Sequence, residues 1–139
     1  MTDRPDDALV DALVQTSFVV TGVLTRVAAE RDLSLTQLRM LGVLRDRRPR
    51  MAQLAALLGL DKSTVSGLIE RAERRGLVRR VPSADDARAV EVVATPDGLA
   101  LARDGAEQVG RALQPLLSTV DGAGRTALTR ELERMLSAH

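Results

Sequence analysis

The stretch Met51–Arg80, MAQLAALLGLDKSTVSGLIERAERRGLVRR, decides how this chain folds. Its first eight residues read as a helix of barely two turns, ended by Gly59. Asp61 then caps a second helix, in which Val65, Leu68, Ile69 and Ala72 fall on one stripe, and Gly76 stops it. With that stripe turned inward, the outer face carries Lys62, Ser63, Thr64, Ser66, Gly67, Glu70, Arg71 and Arg74. Two helices joined by so tight a turn form the arrangement in which the second helix enters the major groove of DNA. Short hydroxyls at the start of that helix suit phosphate or base edges, where the helix dipole also favours a phosphate. Arginines further along suit the flanking backbone.

After Gly76 the period changes from helical to alternating. LVRRVP and AVEVVA read as two short strands joined by the polar tip SADDAR, a hairpin of the size of a wing beside the helix pair. An arginine at its tip, Arg88, is what a narrow and negatively charged minor groove attracts. Asp86, two residues away, is expected to orient that guanidinium by charge-assisted hydrogen bonding.

Working outward, apolar positions at Leu9, Leu13, Val20, Leu24 and Val27, flanked by Val10, Val14 and Val23, give a long first helix over about 7–31. A second helix runs over about 35–45, with Ser34 and Gln37 spaced as a capping box, and Pro49 breaks the pattern. Beyond the hairpin, Thr95 caps a helix with Pro96 in its first turn; Leu99, Ala102, Ala106, Val109, Leu113 and Leu116 continue it, with a bend expected at Pro115. A last helix from about residue 121 uses Leu128, Leu132, Met135 and Leu136. The fold class is therefore mainly α, or α+β by strict count, in a single domain of 139 residues.

Composition narrows the chemistry. Hydrophobic residues make up 45% of the chain and charged ones 28%, enough for a packed core. Cysteine is absent, so no disulfide, thiolate zinc site or peroxide-sensing thiol can form. The sole histidine, His139, is the last residue, no phosphate-binding glycine loop is present, and no carboxylate pair stands in a pocket-forming segment. These exclude the usual enzyme constellations and leave no catalytic, metal or cofactor site to expect. With Phe18 the only aromatic, stacking on single-stranded bases is excluded as well. No uninterrupted apolar run approaches a membrane span and the N-terminus is acidic, so a cytoplasmic protein without membrane contact is expected. The net charge of +1 conceals an asymmetry: residues 39–88 hold twelve basic against six acidic side chains, while both flanks are net acidic. A basic middle between acidic ends is the footprint of a fold that turns one part towards a polyanion.

The segments LTQLRMLGVL, LAALLGLDKSTVSGLIERAERRGLVRR and DARAVEVVATPDG, in this order and spacing, resemble the multiple-antibiotic-resistance regulator (MarR) family of winged helix-turn-helix transcription factors. The specific part of the resemblance covers residues 35–98. It implies a DNA-binding lobe over 33–94 and a helical dimerisation region over 1–32 and 95–139. It further implies a recognition helix contacting DNA through Lys62, Ser63, Thr64, Ser66, Gly67, Arg71 and Arg74, and a wing contributing Arg88 and Arg80 with Asp86 in support. The sequence departs from the pattern at Gly67, where many relatives carry a longer polar side chain, and at Ala87, which replaces one of a frequent arginine pair.

These readings converge on a homodimeric regulator, in the simplest case a repressor, bound to a palindromic duplex operator with half-sites about one helical turn apart. The first, fifth and sixth helices offer apolar faces that a small winged-helix core cannot cover. The resemblance also implies a small aromatic or amphipathic effector, with Arg39 and Phe18 as candidate pocket residues, although Phe18 reads first as plain core. A helical module holding an acidic protein partner would share the charge asymmetry without needing the tight turn, the capped hydroxyls or the wing. Salt-sensitive retention on random duplex DNA separates the two.

Overall fold

The computed structural model describes residues 6–139, so the first five residues of the expected 1–32 region lie outside it. Helix α1 (Asp7–Ala29) carries its apolar residues for most of its length without burying them: only Val27 and Ala28 enter the core. The chain turns at Asp32, which adopts φ 54°, a left-handed conformation that Asp tolerates better than most residues. Ser34 then starts α2 (Leu35–Leu44) with the expected capping box: its hydroxyl accepts from Gln37 N (3.1 Å) and its amide donates to Gln37 Oε1 (3.0 Å). Leu38, Met40, Leu41 and Leu44 form the buried face of α2.

Helix α3 (Met51–Leu58) ends at Gly59, whose φ of 66° requires a residue without Cβ strain. Helix α4 (Lys62–Arg74) buries the four positions its sequence stripe names, Val65, Leu68, Ile69 and Ala72. Strands β1 (Val78–Pro82) and β2 (Val90–Ala94) pair antiparallel from Val78↔Ala94 to Pro82↔Val90. A third, one-residue strand lies on β2: Arg50 bridges Glu91, and Val92 N–H donates to Pro49 O at 2.9 Å. The core fills the space between α2, α3, α4 and this sheet, with Met40, Leu41, Leu54, Val65, Ile69, Val78 and Val92 fully enclosed.

Helix α5 (Pro96–Leu117) is docked at its first turn. Thr95 accepts from Gly98 N and donates from its hydroxyl to Gly76 O at 2.6 Å, and Gly98 sits so close to β1 that a Cβ would fall 2.0 Å from Leu77 O. Pro115, expected to bend the helix, lies in its last turn, where only two residues follow. Helix α6 (Gly122–Ser137), capped by Asp121, has no buried residue.

Two sequence expectations are corrected here. Phe18 is neither core nor pocket lining: it is 71% exposed, because almost nothing in the chain itself covers α1 over residues 7–19. Helix α1 is also, against expectation, long and apolar enough to cross a membrane, with a mean hydropathy of 1.6 in its most apolar window. Length and composition do not separate a membrane helix from one whose apolar face is covered by protein. Its last turn packs into the lobe.

Candidate nucleic-acid interface

The first turn of α4 is organised by one carboxylate. Asp61 Oδ1 accepts from Thr64 N (2.7 Å) and Ser63 Oγ (2.8 Å), and Oδ2 accepts from Thr64 Oγ1 (3.0 Å). The Thr64 amide first, and the Ser63 and Thr64 hydroxyls after it, hold the Asp61 carboxyl below its ordinary range. The two hydroxyls read from sequence as DNA donors therefore already give their protons to Asp61, and what they offer outward is acceptor capacity. The helix end that would favour a phosphate carries the cap's own negative charge instead.

Cations take over along the rest of the face. Lys62, Arg71 and Arg74 are exposed and have no ion-pair partner among the described residues, while Ser66 and Gly67 are half-buried between them. Gly67 has a local role: Arg71 Nη1 lies 3.4 Å from where its Cβ would be, so the guanidinium folds back over the glycine. Arg80, expected to contribute to the wing, has a partner within the fold. Its Nε is 3.2 Å from Glu73 Oε1, so it ties β1 to α4 rather than standing free on the wing.

The hairpin tip closes by Ser83 N to Ala89 O and Ala89 N to Asp86 O, both 2.9 Å. Asp86 acts on Arg88 through the backbone, its Oδ1 accepting from Arg88 N at 3.0 Å, and not through the guanidinium as expected. An Asx turn of this kind shapes the loop and leaves the Arg88 side chain exposed and unpaired.

Sequence reasoning missed the residues that lock α4 to the rest of the molecule. Arg75, at the end of α4, donates to Asp32 O (2.6 Å) and Arg31 O (3.2 Å). Arg31, only 10% exposed, in turn binds Asp104 of α5 at 2.6 Å and Val27 O at 2.8 Å. No local pattern announces contacts across 43 and 73 residues. Arg39 donates to Leu57 O (3.1 Å) and Leu58 O (3.2 Å), holding the end of α3, and it also lines a cleft of about 740 Å³ between α1, α2 and α5. Leu24, Leu38, Val43, Ala102 and Val109 make the apolar wall of that cleft; Phe18 does not reach it.

A family model described as MarR family matches residues 31–89, the segment that holds the helix pair and the wing. Residues 31–89 are thus similar to the MarR family. Among curated relatives, the MarR-type segment lies within a 29% identity to the HTH-type transcriptional repressor NicR of Pseudomonas putida over 120 residues, covering 85% of this chain and 75% of that protein. The HTH-type transcriptional regulator PecS of Dickeya dadantii is 27% identical over 142 residues, covering 96% and 86%. CouR from Rhodococcus jostii RHA1, solved bound to p-coumaroyl-CoA, shares the fold with a TM-score of 0.81 at 22% identity over 96% of this chain and 95% of that one. NicR and PecS are both named as transcriptional regulators, and the winged-helix fold expected from sequence is the one observed.

Proposed function

We propose that this chain is a MarR-type transcriptional regulator that binds a palindromic duplex operator as a homodimer, acts as a repressor, and leaves DNA when a small amphipathic ligand occupies the cleft between α1, α2 and α5. The observation that carries the DNA reading is the face of α4, where Lys62, Arg71 and Arg74 stand exposed and unpaired beside a wing tipped by a free Arg88. Arg31, Arg75 and Arg80 are by contrast tied to acceptors within the fold. Lys62, Ser63, Thr64, Ser66, Gly67, Arg71 and Arg74 form the groove-facing surface. Arg88 enters the minor groove on a loop shaped by Asp86, and Arg80 supports the wing from behind.

The homodimer rests on what the chain leaves uncovered: Leu9, Val10, Val14 and Phe18 on α1, and Leu128, Leu132 and Met135 on α6 are all more than a third exposed. A second copy covers them, with 1–32 and 95–139 as the dimerisation region and 33–94 as the DNA-binding lobe. The same partner accounts for the apolar surface of α1 in a cytoplasmic protein without a membrane. For the ligand, the cleft joins an apolar wall to the cations Arg39, Arg45 and Arg47, which suits an aromatic or amphipathic acid. NicR is named a repressor and CouR was solved with an acyl-CoA, which supports this order of events.

Selection from a random duplex library with the purified protein tests the reading. A recovered palindrome with half-sites about one helical turn apart is expected. Recovery of no sequence, with no salt-sensitive retention on duplex DNA, overturns it.

A further inference from the structure

The segment joining α2 to α3, Arg45-Asp46-Arg47-Arg48-Pro49-Arg50, holds four arginines in six positions. Only one of them has an acidic partner among the described residues: Arg48 Nε lies 3.5 Å from Glu91 Oε1, and its side chain remains 64% exposed. Among the described residues, the guanidinium groups of Arg47 and Arg50 have no ion pair or side-chain hydrogen bond. Guanidinium groups this close repel one another, and one neighbouring carboxylate does not offset them.

The segment is also held firmly in place. Pro49 O accepts from Val92 N at 2.9 Å, Arg50 bridges Glu91 on the free side of β2, and Arg50 N donates to Gln53 Oε1 at 2.9 Å. Arg50 therefore stands opposite a residue only three positions from Arg88, at the root of the wing. Arg47 and Arg48 border a shallow depression of about 470 Å³ against the outer face of α3, with Gln53, Ala56 and Leu57. Arg45 borders only the cleft between α1, α2 and α5, whereas Arg47 stands at the edge of both that cleft and the depression.

In a helix-turn-helix the first helix crosses the sugar-phosphate backbone while the second enters the groove. Here the first helix is α3, and the arginine segment leads into it. We propose that Arg47, Arg48 and Arg50 form a further DNA-contacting surface, binding phosphates that flank those met by α4 and the wing; this rests on the duplex-binding function proposed above. Guanidinium suits the task, because its planar donor fork meets phosphate oxygens in pairs and its charge does not titrate. The contact is blind to sequence, so it raises affinity for every duplex and steepens the salt dependence.

The test is a salt titration of binding to a random-sequence duplex by the full-length protein and three variants. Replacing Arg47, Arg48 and Arg50 together by Ala is expected to weaken binding to all duplexes and lower the salt slope by about three, roughly one per phosphate contact. Replacing the same three by Lys keeps most of the slope. Arg50→Ala alone removes a half-buried side chain that makes no ion pair among the described residues, and should lower the slope by about one with only a small change in melting temperature, so it carries the test even if the triple variant is destabilised. A wild type that binds with high salt sensitivity beside an Arg50→Ala variant of equal affinity and slope overturns this inference alone. A wild type without salt-sensitive binding overturns the DNA reading and this one with it.

Discussion

At the scale of single residues, the two ends of α4 divide the work between structure and recognition. Asp61 is committed to the fold, and its lowered carboxyl sets a pH dependence with a definite sign. A group whose native value lies below the ordinary 3.8 contributes stability above that pH, and the contribution is lost as the pH falls through the native value. Asp61→Ala should therefore melt at a lower temperature than wild type at neutral pH, with the gap closing below pH 3.8, as circular dichroism melts across that range would record. Arg88 is the opposite case, exposed and without an intramolecular partner, so Arg88→Ala should leave the melt unchanged while weakening binding to every duplex and reducing the salt slope by about one. Unaltered affinity would remove the wing from the mechanism. The cap and the buried stripe Val65, Leu68, Ile69 and Ala72 were legible in the sequence because both depend on neighbours within one or two helical turns. The pairing of Arg80 with Glu73 was not, since it follows from which acceptor the folded chain brings near, whereas the Ser63 proton goes to Asp61 only two residues away.

At the scale of elements, legibility again followed locality. Every helix and both paired strands could be placed within a residue or two from period, caps and glycines, because those signals act along the chain. The third strand escaped: one residue, Arg50, has no alternation to show, and its pairing with Glu91 exists only once α3 is packed. The junction of β1 with α5 escaped in the same way. Thr95 was readable as a cap, but not as the group that also closes onto Gly76, nor was Gly98 readable as the point where helix and strand backbones meet. That contact yields a sharp expectation. In Gly98→Ala the new Cβ would lie 2.0 Å from Leu77 O, a backbone atom that cannot swing aside, so α5 must back away from the hairpin. The cost should reach or exceed the roughly 1–3 kcal/mol of ordinary overpacking, measurable by urea unfolding. Gly110→Ala, in the same helix with nothing within 4 Å of the new methyl, should instead gain about 0.5–1 kcal/mol from helix propensity. Equal behaviour of the two variants would show that the junction is softer than its geometry.

At the scale of the whole molecule, one lobe is closed and the other end is unfinished, since α6 buries nothing and α1 buries only its last turn. If a second copy completes it, removing residues 121–139 should abolish dimerisation, seen by analytical ultracentrifugation, and with it specific binding, although no proposed DNA contact is touched. Switching follows from the same architecture. Arg39 touches the cleft on one side and the carbonyls of Leu57 and Leu58 on the other, so a ligand that draws its guanidinium inward loosens the end of α3, next to the turn that aims α4. Two lobes held at a fixed spacing amplify such a change, because a small rotation of each misaligns both half-sites together. A tenfold loss of affinity needs only about 1.4 kcal/mol of coupling between ligand and DNA. A thiol-based redox trigger or a cysteine–histidine zinc trigger is not expected, because the sequence has no cysteine and one histidine, and methionine oxidation is slower and less selective. Mild peroxide and zinc chelation should thus leave duplex binding intact, whereas a small aromatic or amphipathic acid should lower it, and Arg39→Ala should blunt that response more than it weakens binding itself. Binding titrations under each condition decide the matter, and rapid release by peroxide or a chelator alone would refute a ligand-operated switch.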